Sequence, residues 1–246
     1  MLSESQAQEF LDGTKGWWNS LWMGDIDADG DLDILAGNHG LNSRFKVSEK
    51  SPIKLYVNDF DANGTVEQIL TVSRKGQDYP FTLKHDLVAQ LPPLKKDYLK
   101  YQSYNSEKMI DIFDNETLVR SKIYEANHFE TTLFINKGDH EFEMRELPIE
   151  AQYSPVYGID VFDYNEDGYL DILLGGNFFD AKPEAGRYDA SFGTLLIGKP
   201  DVNWEFITPD QSGLEEKGQI RSFVRFEKQR LLLIGKNKDE VRALRF

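Results

Sequence analysis

The chain has 246 residues and no cysteine, which allows one large domain or two small ones and excludes disulfides, thiolate catalysis and cysteine-based zinc sites. Hydrophobic residues at 40% and charged residues at 28% supply a core, whereas a mean hydropathy of −0.52 and short apolar runs exclude a transmembrane helix. A formal net charge of −14 argues against a nucleic-acid partner, which needs a basic footprint.

At the N-terminus, Met1-Leu2-Ser3-Glu4-Ser5 has neither the basic nor the apolar stretch of a secretory leader. Trp22-Met23-Gly24 reads as a strand running into the acidic loop Asp25-Ile26-Asp27-Ala28-Asp29-Gly30-Asp31-Leu32-Asp33, and Ile34-Leu35-Ala36-Gly37 as a buried strand leaving it. The pattern returns with Leu55-Tyr56-Val57, then Asp59-Phe60-Asp61-Ala62-Asn63-Gly64-Thr65-Val66-Glu67, then Ile69-Leu70-Thr71-Val72. Residues 84–128 read as a helical insertion. Leu91-Pro92-Pro93-Leu94 stops and restarts a helix. Leu94, Tyr98 and Tyr101 recur at helical spacing, as do Met109, Ile110 and Phe113, and this stripe is expected to pack rather than to bind. Asn115 is expected to cap a helix through Leu118 and Ile123. Thr132-Leu133-Phe134-Ile135-Asn136 and the stretch through Phe142 and Met144 form a hairpin. Val156-Tyr157-Gly158-Ile159 leads to a third loop, Asp163-Tyr164-Asn165-Glu166-Asp167-Gly168-Tyr169-Leu170-Asp171, and Ile172-Leu173-Leu174-Gly175 leaves it. The tail reads as strands at 194–197, 222–226, 230–234 and 241–246, with no acidic loop.

In all three loops oxygen side chains stand at positions 1, 3, 5 and 9, with Gly at position 6. A hard cation takes six to eight oxygens, and alternate residues of a tight loop turn their side chains toward one point. The glycine permits the sharp bend, and the next residue (Asp31, Thr65 or Tyr169) is placed to offer its backbone carbonyl. An EF-hand opens the same way but requires Glu at position 12, where this chain has Ala36, Leu70 and Leu174. The expected ligand positions are therefore Asp25, Asp27, Asp29, Asp31 and Asp33; Asp59, Asp61, Asn63, Thr65 and Glu67; and Asp163, Asn165, Asp167, Tyr169 and Asp171. Loop size and ligand number favour Ca²⁺, up to three ions, which would take the net charge from −14 to −8.

The D-x-D-x-D-G-x-x-D loop between strands resembles the FG-GAP, or VCBS-type, repeat of integrin-α-like β-propellers. Phe134-Ile135-Asn136-Lys137-Gly138 followed by Phe142 resembles the outer hairpin of that repeat. Gly16-Trp17-Trp18-Asn19-Ser20, Gly37-Asn38-His39-Gly40-Leu41-Asn42, Val57-Asn58-Asp59-Phe60-Asp61, Ala89-Gln90-Leu91-Pro92 and Gly186-Arg187-Tyr188-Asp189-Ala190-Ser191-Phe192-Gly193 resemble the C-terminal propeller portion of ASPIC/UnbV-group surface proteins of Bacteroidetes. The resemblance implies an all-β propeller, partial or small, of about four blades with a short helical insertion, formed by residues 1–246 as a single domain or a fragment. It also implies an extracellular, cell-surface or periplasmic location, a protein or glycan ligand, and further blades from a longer parent.

No catalytic motif stands out. His39, His85, His128 and His140 are far apart, and no nucleophile elbow or P-loop is present. The expected function is a non-catalytic, calcium-binding scaffold that does not insert in a membrane. The alternative is a polysaccharide hydrolase or lyase, which would need paired acids outside the three loops. Arg187 and Asp189 are expected to pair across a long loop, and Trp17, Trp18 and Trp22 to serve as core rather than as a sugar-stacking platform.

Overall fold

A computed structural model describes residues 13–139 and 141–246; Met1–Ser5 and His140, named above, lie outside them. In chain order the first strands are β1 (Ser20–Gly24), β2 (Asp33–Gly37), β3 (Ile53–Asn58), β4 (Glu67–Arg74) and β5 (Gln77–Pro80). Three short helices follow, α1 (Lys84–Gln90), α2 (Met109–Ile112) and α3 (Asn115–Arg120), and then β6 (Lys122–Ala126), β7 (Thr132–Asn136) and β8 (Phe142–Glu146). The remainder is β9 (Val156–Phe162), β10 (Asp171–Gly176), β11 (Thr194–Lys199), β12 (Asn203–Ile207), α4 (Pro209–Ser212), β13 (Gln219–Phe226), β14 (Leu231–Asn237) and β15 (Arg242–Arg245). The strands make four antiparallel sheets, so the fold is mostly β. No helix among the described residues is long and apolar enough to cross a membrane.

The chain divides into two compact units. One holds Trp17–Arg44 with Phe129–Phe246; the other holds Phe45–His128 with a short stretch before Trp17. The larger unit contains three sheets, ordered β1-β2-β7-β8, β9-β10-β11-β12 and β13-β14-β15. The hairpin expected at 132–144 completes the first sheet, since β2 pairs β7 with Ile34 opposite Phe134.

Alternation along the strands sends side chains to both faces, and each face finds a neighbour. Leu35, Leu133 and Ile135 of the first sheet pack against Val161, Ile172, Leu174 and Leu196 of the second. From the opposite face of β10, Leu173 packs with Ile220, Leu232 and Ile234 of the third sheet. A strand buried on both faces reads as an unbroken apolar run, as Ile172-Leu173-Leu174 does. The sheets thus stack in series. Among the described residues no strand of the first sheet pairs with a strand of the third, and no closed ring is found.

The same notch recurs at both junctions. Gly37 lies opposite Ser20, and a Cβ there would sit 2.8 Å from Val156 Cγ1 of the second sheet. Gly175 lies opposite Gly158, and a Cβ there would overlap Ile220 and come within 2.8 Å of Phe223 in the third. Buried amides fix the crossovers beside these notches. Asn38 donates to the Glu130 carbonyl at 3.2 Å, and Asn177 donates to the Ser191 and Gly218 carbonyls at 2.7 and 2.8 Å.

The smaller unit is a sheet in the order β5-β4-β3-β6. Tyr56 and Ile69 on its face pack with Leu87, Leu91, Tyr98, Tyr104, Met109, Phe113 and Leu118 from the helical stretch. Of the stripe expected to pack, Tyr98 does so, while Tyr101 is exposed and its hydroxyl meets His85 Nδ1 at 2.8 Å. The helix expected through Ile123 is shorter than its spacing predicts. Asp114, not Asn115, caps it, accepting the Thr117 N–H at 2.7 Å, and it stops at Arg120. Ile123 instead lies on β6 opposite Tyr56, because the free edge of β3 offers the backbone a ladder of hydrogen bonds.

The notches give a test of the stacking. Gly175→Val is expected to lower stability by about 1–3 kcal/mol through overpacking, read by denaturant unfolding. Gly13→Val, where a Cβ meets nothing within 4 Å and the backbone is not left-handed, controls for the added side chain without overlap.

Candidate metal centres

Each acidic loop occupies eight residues between two paired strands, at 25–32, 59–66 and 163–170. The three share one backbone path. Position 4 is left-handed in all of them (Ala28 φ 62°, Ala62 φ 56°, Glu166 φ 61°), and so is the glycine at position 6 (Gly30, Gly64 and Gly168, φ 96°, 87° and 92°). A left-handed alanine is uncommon, so something local has to hold it.

The carboxylate at position 1 does so. Asp25 accepts the N–H groups of Asp29 and Gly30 at 3.1 and 3.0 Å; Asp59 accepts those of Asn63 and Gly64 at 3.0 and 2.9 Å; Asp163 accepts those of Asp167 and Gly168 at 3.0 and 2.8 Å. Position 5 holds the next residue in the same way: Asp29, Asn63 and Asp167 accept the N–H of Asp31, Thr65 and Tyr169 at 2.9, 2.7 and 2.9 Å. The Tyr169 N–H keeps the Asp167 carboxyl below its ordinary pKa.

Position 9 closes the loop from below. One oxygen of Asp33, Glu67 and Asp171 accepts the N–H of position 2 (Ile26, Phe60 and Tyr164) at 2.8, 3.0 and 2.6 Å. The other oxygen of Asp33 takes the Asn136 N–H at 2.8 Å, and that of Asp171 takes the Gly198 N–H at 2.7 Å. These buried carboxylates therefore tie the loop to the third strand of the sheet, a role their spacing did not reveal. Burial outweighs the two hydrogen bonds at Asp171 and raises its pKa. Carboxylate oxygens have two lone pairs each, so the bonds leave capacity for a cation.

Carboxylate oxygens of Asp25, Asp27 and Asp29 lie within 4.8 Å of one another, as do those of Asp59, Asp61 and Glu67. Among the described residues only these two loops draw three acids so close; in the third, Asn165 stands at position 3 and donates to Asp167 at 2.9 Å. Asp61 Oδ1 is shielded from solvent and accepts no hydrogen bond. An unpartnered carboxylate oxygen among other acids fits a cation-binding loop. The Thr65 hydroxyl is within hydrogen-bond reach of Asn63 Oδ1 and Glu67 Oε1 and has one proton to donate between them. Asp31, Thr65 and Tyr169 fall beside the clusters, with their N–H groups committed to position 5.

Two lysines escaped the sequence reading. Lys137 Nζ lies 3.5 Å from Asp27 Oδ2. Lys199, at the matching place at the end of the third strand of the second sheet, acts on Asp167 and pairs with Glu205 at 3.1 Å. Their signal is the equal offset from the strand residue that bonds position 9, Asn136 in one sheet and Gly198 in the other.

The glycine-rich stretch at 186–193 is braced as expected. Arg187 pairs with Asp189 at 3.2 Å and lies over the Phe179 ring at 3.8 Å. Tyr188 is buried, and a chain of hydrogen bonds joins its hydroxyl to Ser43 Oγ (3.2 Å) and Ser43 Oγ to His39 Nε2 (3.1 Å). Trp17 stands edge-on to His39 and Trp18 packs on Phe134, so these tryptophans serve the core. Trp22 packs on the cluster between the first two sheets.

Comparisons with protein-family models, with curated proteins and with solved structures return no match.

Burial lowers the His39 pKa from 6.5 to about 4. A histidine held neutral contributes stability above its unfolded value, and that contribution is lost as pH falls from 6.5 toward 4. His39→Gln is expected to flatten this part of the stability–pH curve by up to about 3 kcal/mol, measured as the difference in urea unfolding between the two proteins at pH 7 and pH 4.5.

Proposed function

We propose that the loops at 25–33, 59–67 and 163–171 bind Ca²⁺ and that the chain is a calcium-stiffened, non-catalytic scaffold built from FG-GAP-type repeats, with the serial sheets of the larger unit as propeller blades. The observation that carries this reading is the shared geometry of the three loops, with an unpartnered Asp61 oxygen inside one of them. Asp25, Asp27, Asp29 and Asp33 would hold the first ion with the Asp31 carbonyl. Asp59, Asp61, Asn63, Glu67 and the Thr65 carbonyl would hold the second, and Asp163, Asn165, Asp167, Asp171 and the Tyr169 carbonyl the third. Bound, the ions supply neutralisation of clustered acids and nothing redox. The resemblance to bacterial surface proteins supports a location outside the cytoplasm and a protein or glycan ligand.

The test is a thermal melt in EDTA against about 1 mM Ca²⁺, repeated on Asp27→Ala/Asp61→Ala/Asp167→Ala. With site affinities on the order of 10 µM, each ion adds about 2.7 kcal/mol, and the melting temperature should rise by at least about 5 °C. The triple variant should lose that rise. Equal melting in EDTA and Ca²⁺ would sink the proposal.

A further inference from the structure

Asp33 starts β2 and Gly37 ends it, so the acidic loop and the segment that follows Gly37 leave this strand at opposite ends. At the end away from the acidic loop, three segments of the larger unit converge: Leu41 and Asn42 after β2, Ile149, Gln152 and Tyr153 before β9, and Ala190 in the glycine-rich stretch after β10. They line a concavity of about 430 Å³, within the size range of small-ligand sites.

Its walls are fastened to one another. Leu41 and Asn42 donate their N–H groups to the Gln152 carbonyl at 2.8 and 3.2 Å, and Asn42 Nδ2 donates to the Tyr153 carbonyl at 3.2 Å. Gly40 lets these chains approach: its φ is 79°, and a Cβ there would sit 2.7 Å from the Gln152 carbonyl oxygen. The Gln152 side chain is spent below the concavity, donating to the Thr131 carbonyl at 2.9 Å and accepting the Thr131 N–H at 2.8 Å. Ala190 is placed by its neighbour Ser191, whose N–H reaches Asn177 Oδ1 at 3.0 Å and whose carbonyl accepts from Asn177 Nδ2 at 2.7 Å. Walls set in this way need little ordering when a ligand arrives.

The groups left over define the ligand. Asn42 Oδ1 and the Tyr153 hydroxyl have no partner among the described residues. Tyr153 is 40% exposed and Ile149 55%. None of the six lining residues is charged, in a chain of which 28% is charged. An ionic ligand would meet no counter-charge on these walls, and a purely apolar one would cover the Asn42 oxygen without bonding it. A sugar ring meets both demands: its C–H face packs on an aromatic ring, and its hydroxyls donate to an amide oxygen and exchange hydrogen bonds with a phenol.

We propose that this concavity binds one neutral sugar residue of a glycan, with the Tyr153 ring against the sugar face and Asn42 Oδ1 accepting from a sugar hydroxyl. The site rests on the scaffold reading for having a ligand at all, narrows that ligand from protein or glycan to glycan, and uses none of the metal loops.

Saturation-transfer-difference NMR tests this with the methyl glycosides of glucose, galactose, mannose and N-acetylglucosamine, titrated from about 0.5 to 20 mM. At least one is expected to bind with a Kd on the order of 1–10 mM, the strength open to a ligand of about a dozen heavy atoms, and to do so equally in Ca²⁺ and in EDTA. Tyr153→Ala should weaken binding by at least about 10-fold, and Tyr153→Trp should keep it, with melting unchanged because the side chain is exposed. If Tyr153→Ala fails to fold, Ile149→Ala takes its place with an expected loss of at least about 3-fold. Saturation transfer from none of the four sugars overturns the proposal. So does sugar binding indifferent to Tyr153→Ala, or binding seen only with Ca²⁺, which would put the sugar on the metal loops. Transfer from N-acetyl-leucine amide that Tyr153→Ala abolishes, with none from the sugars, makes this a peptide site and overturns the glycan. The Ca²⁺-dependent melting shift is a separate readout, so the calcium reading and the sugar site fail independently.

Discussion

One buried carboxylate per acidic loop holds the architecture together. Asp33 and Asp171 are fully buried, and Glu67 nearly so. An isolated buried charge costs several kcal/mol, and part of that cost is met by two backbone N–H groups at Asp33 and Asp171 and by one at Glu67. In the larger unit each acid spans three segments. It starts the second strand, folds the loop back onto its own beginning, and fixes the third strand by the N–H of Asn136 or Gly198. The apolar run that follows it then falls into a set register, with Leu35 and Leu173 directed to one neighbouring sheet and Ile172 and Leu174 to the other.

The third sheet shows what the acid determines by lacking it. Leu231 stands where Asp33 and Asp171 stand, opposite the last residue of the preceding strand in each case. The connection there shrinks to four residues, Glu227–Arg230, with Arg230 left-handed at φ 47°. Its link to the second sheet is an ion pair at the surface, Arg230 to Glu166 at 2.9 Å, together with Arg225 to Asp160. Exposed pairs of the first kind contribute little. The notch at Gly175 and the packing of Ile220 and Leu232 therefore carry most of that junction.

The strands beside the loops were legible because apolar runs meet a D-G turn, a local signal that neighbouring sheets do not alter. The loop positions were legible for the same reason. Topology was not. The 34-residue offset between the first two loops reads as tandem repetition, yet the second loop lies in the smaller unit and β2 of the first sheet pairs with a strand about a hundred residues onward. Linear spacing does not record which strand edge a later segment will pair with. Ile123 was misplaced on a helix because its pairing with Tyr56 is non-local. Gly37 and Gly175 end the apolar runs in the sequence; their meaning lies in the residue of the next sheet that needs the space, Val156 or Ile220.

The loops also separate two roles that a metal site often combines. In a structural zinc module the ion supplies the fold, since the ligands have nothing else to hold them. Here the backbone path of each loop is already fixed by hydrogen bonds from N–H groups to positions 1, 5 and 9, and the left-handed residues at positions 4 and 6 are fixed with it. What those bonds leave unsettled is charge: three acids crowded within 4.8 Å in two of the loops, answered in the first by a single lysine at 3.5 Å. Lys137 is 40% exposed, so water screens it. A divalent ion would act on this residual repulsion rather than on the chain path. Binding would then stiffen the loop and leave the sheet unchanged.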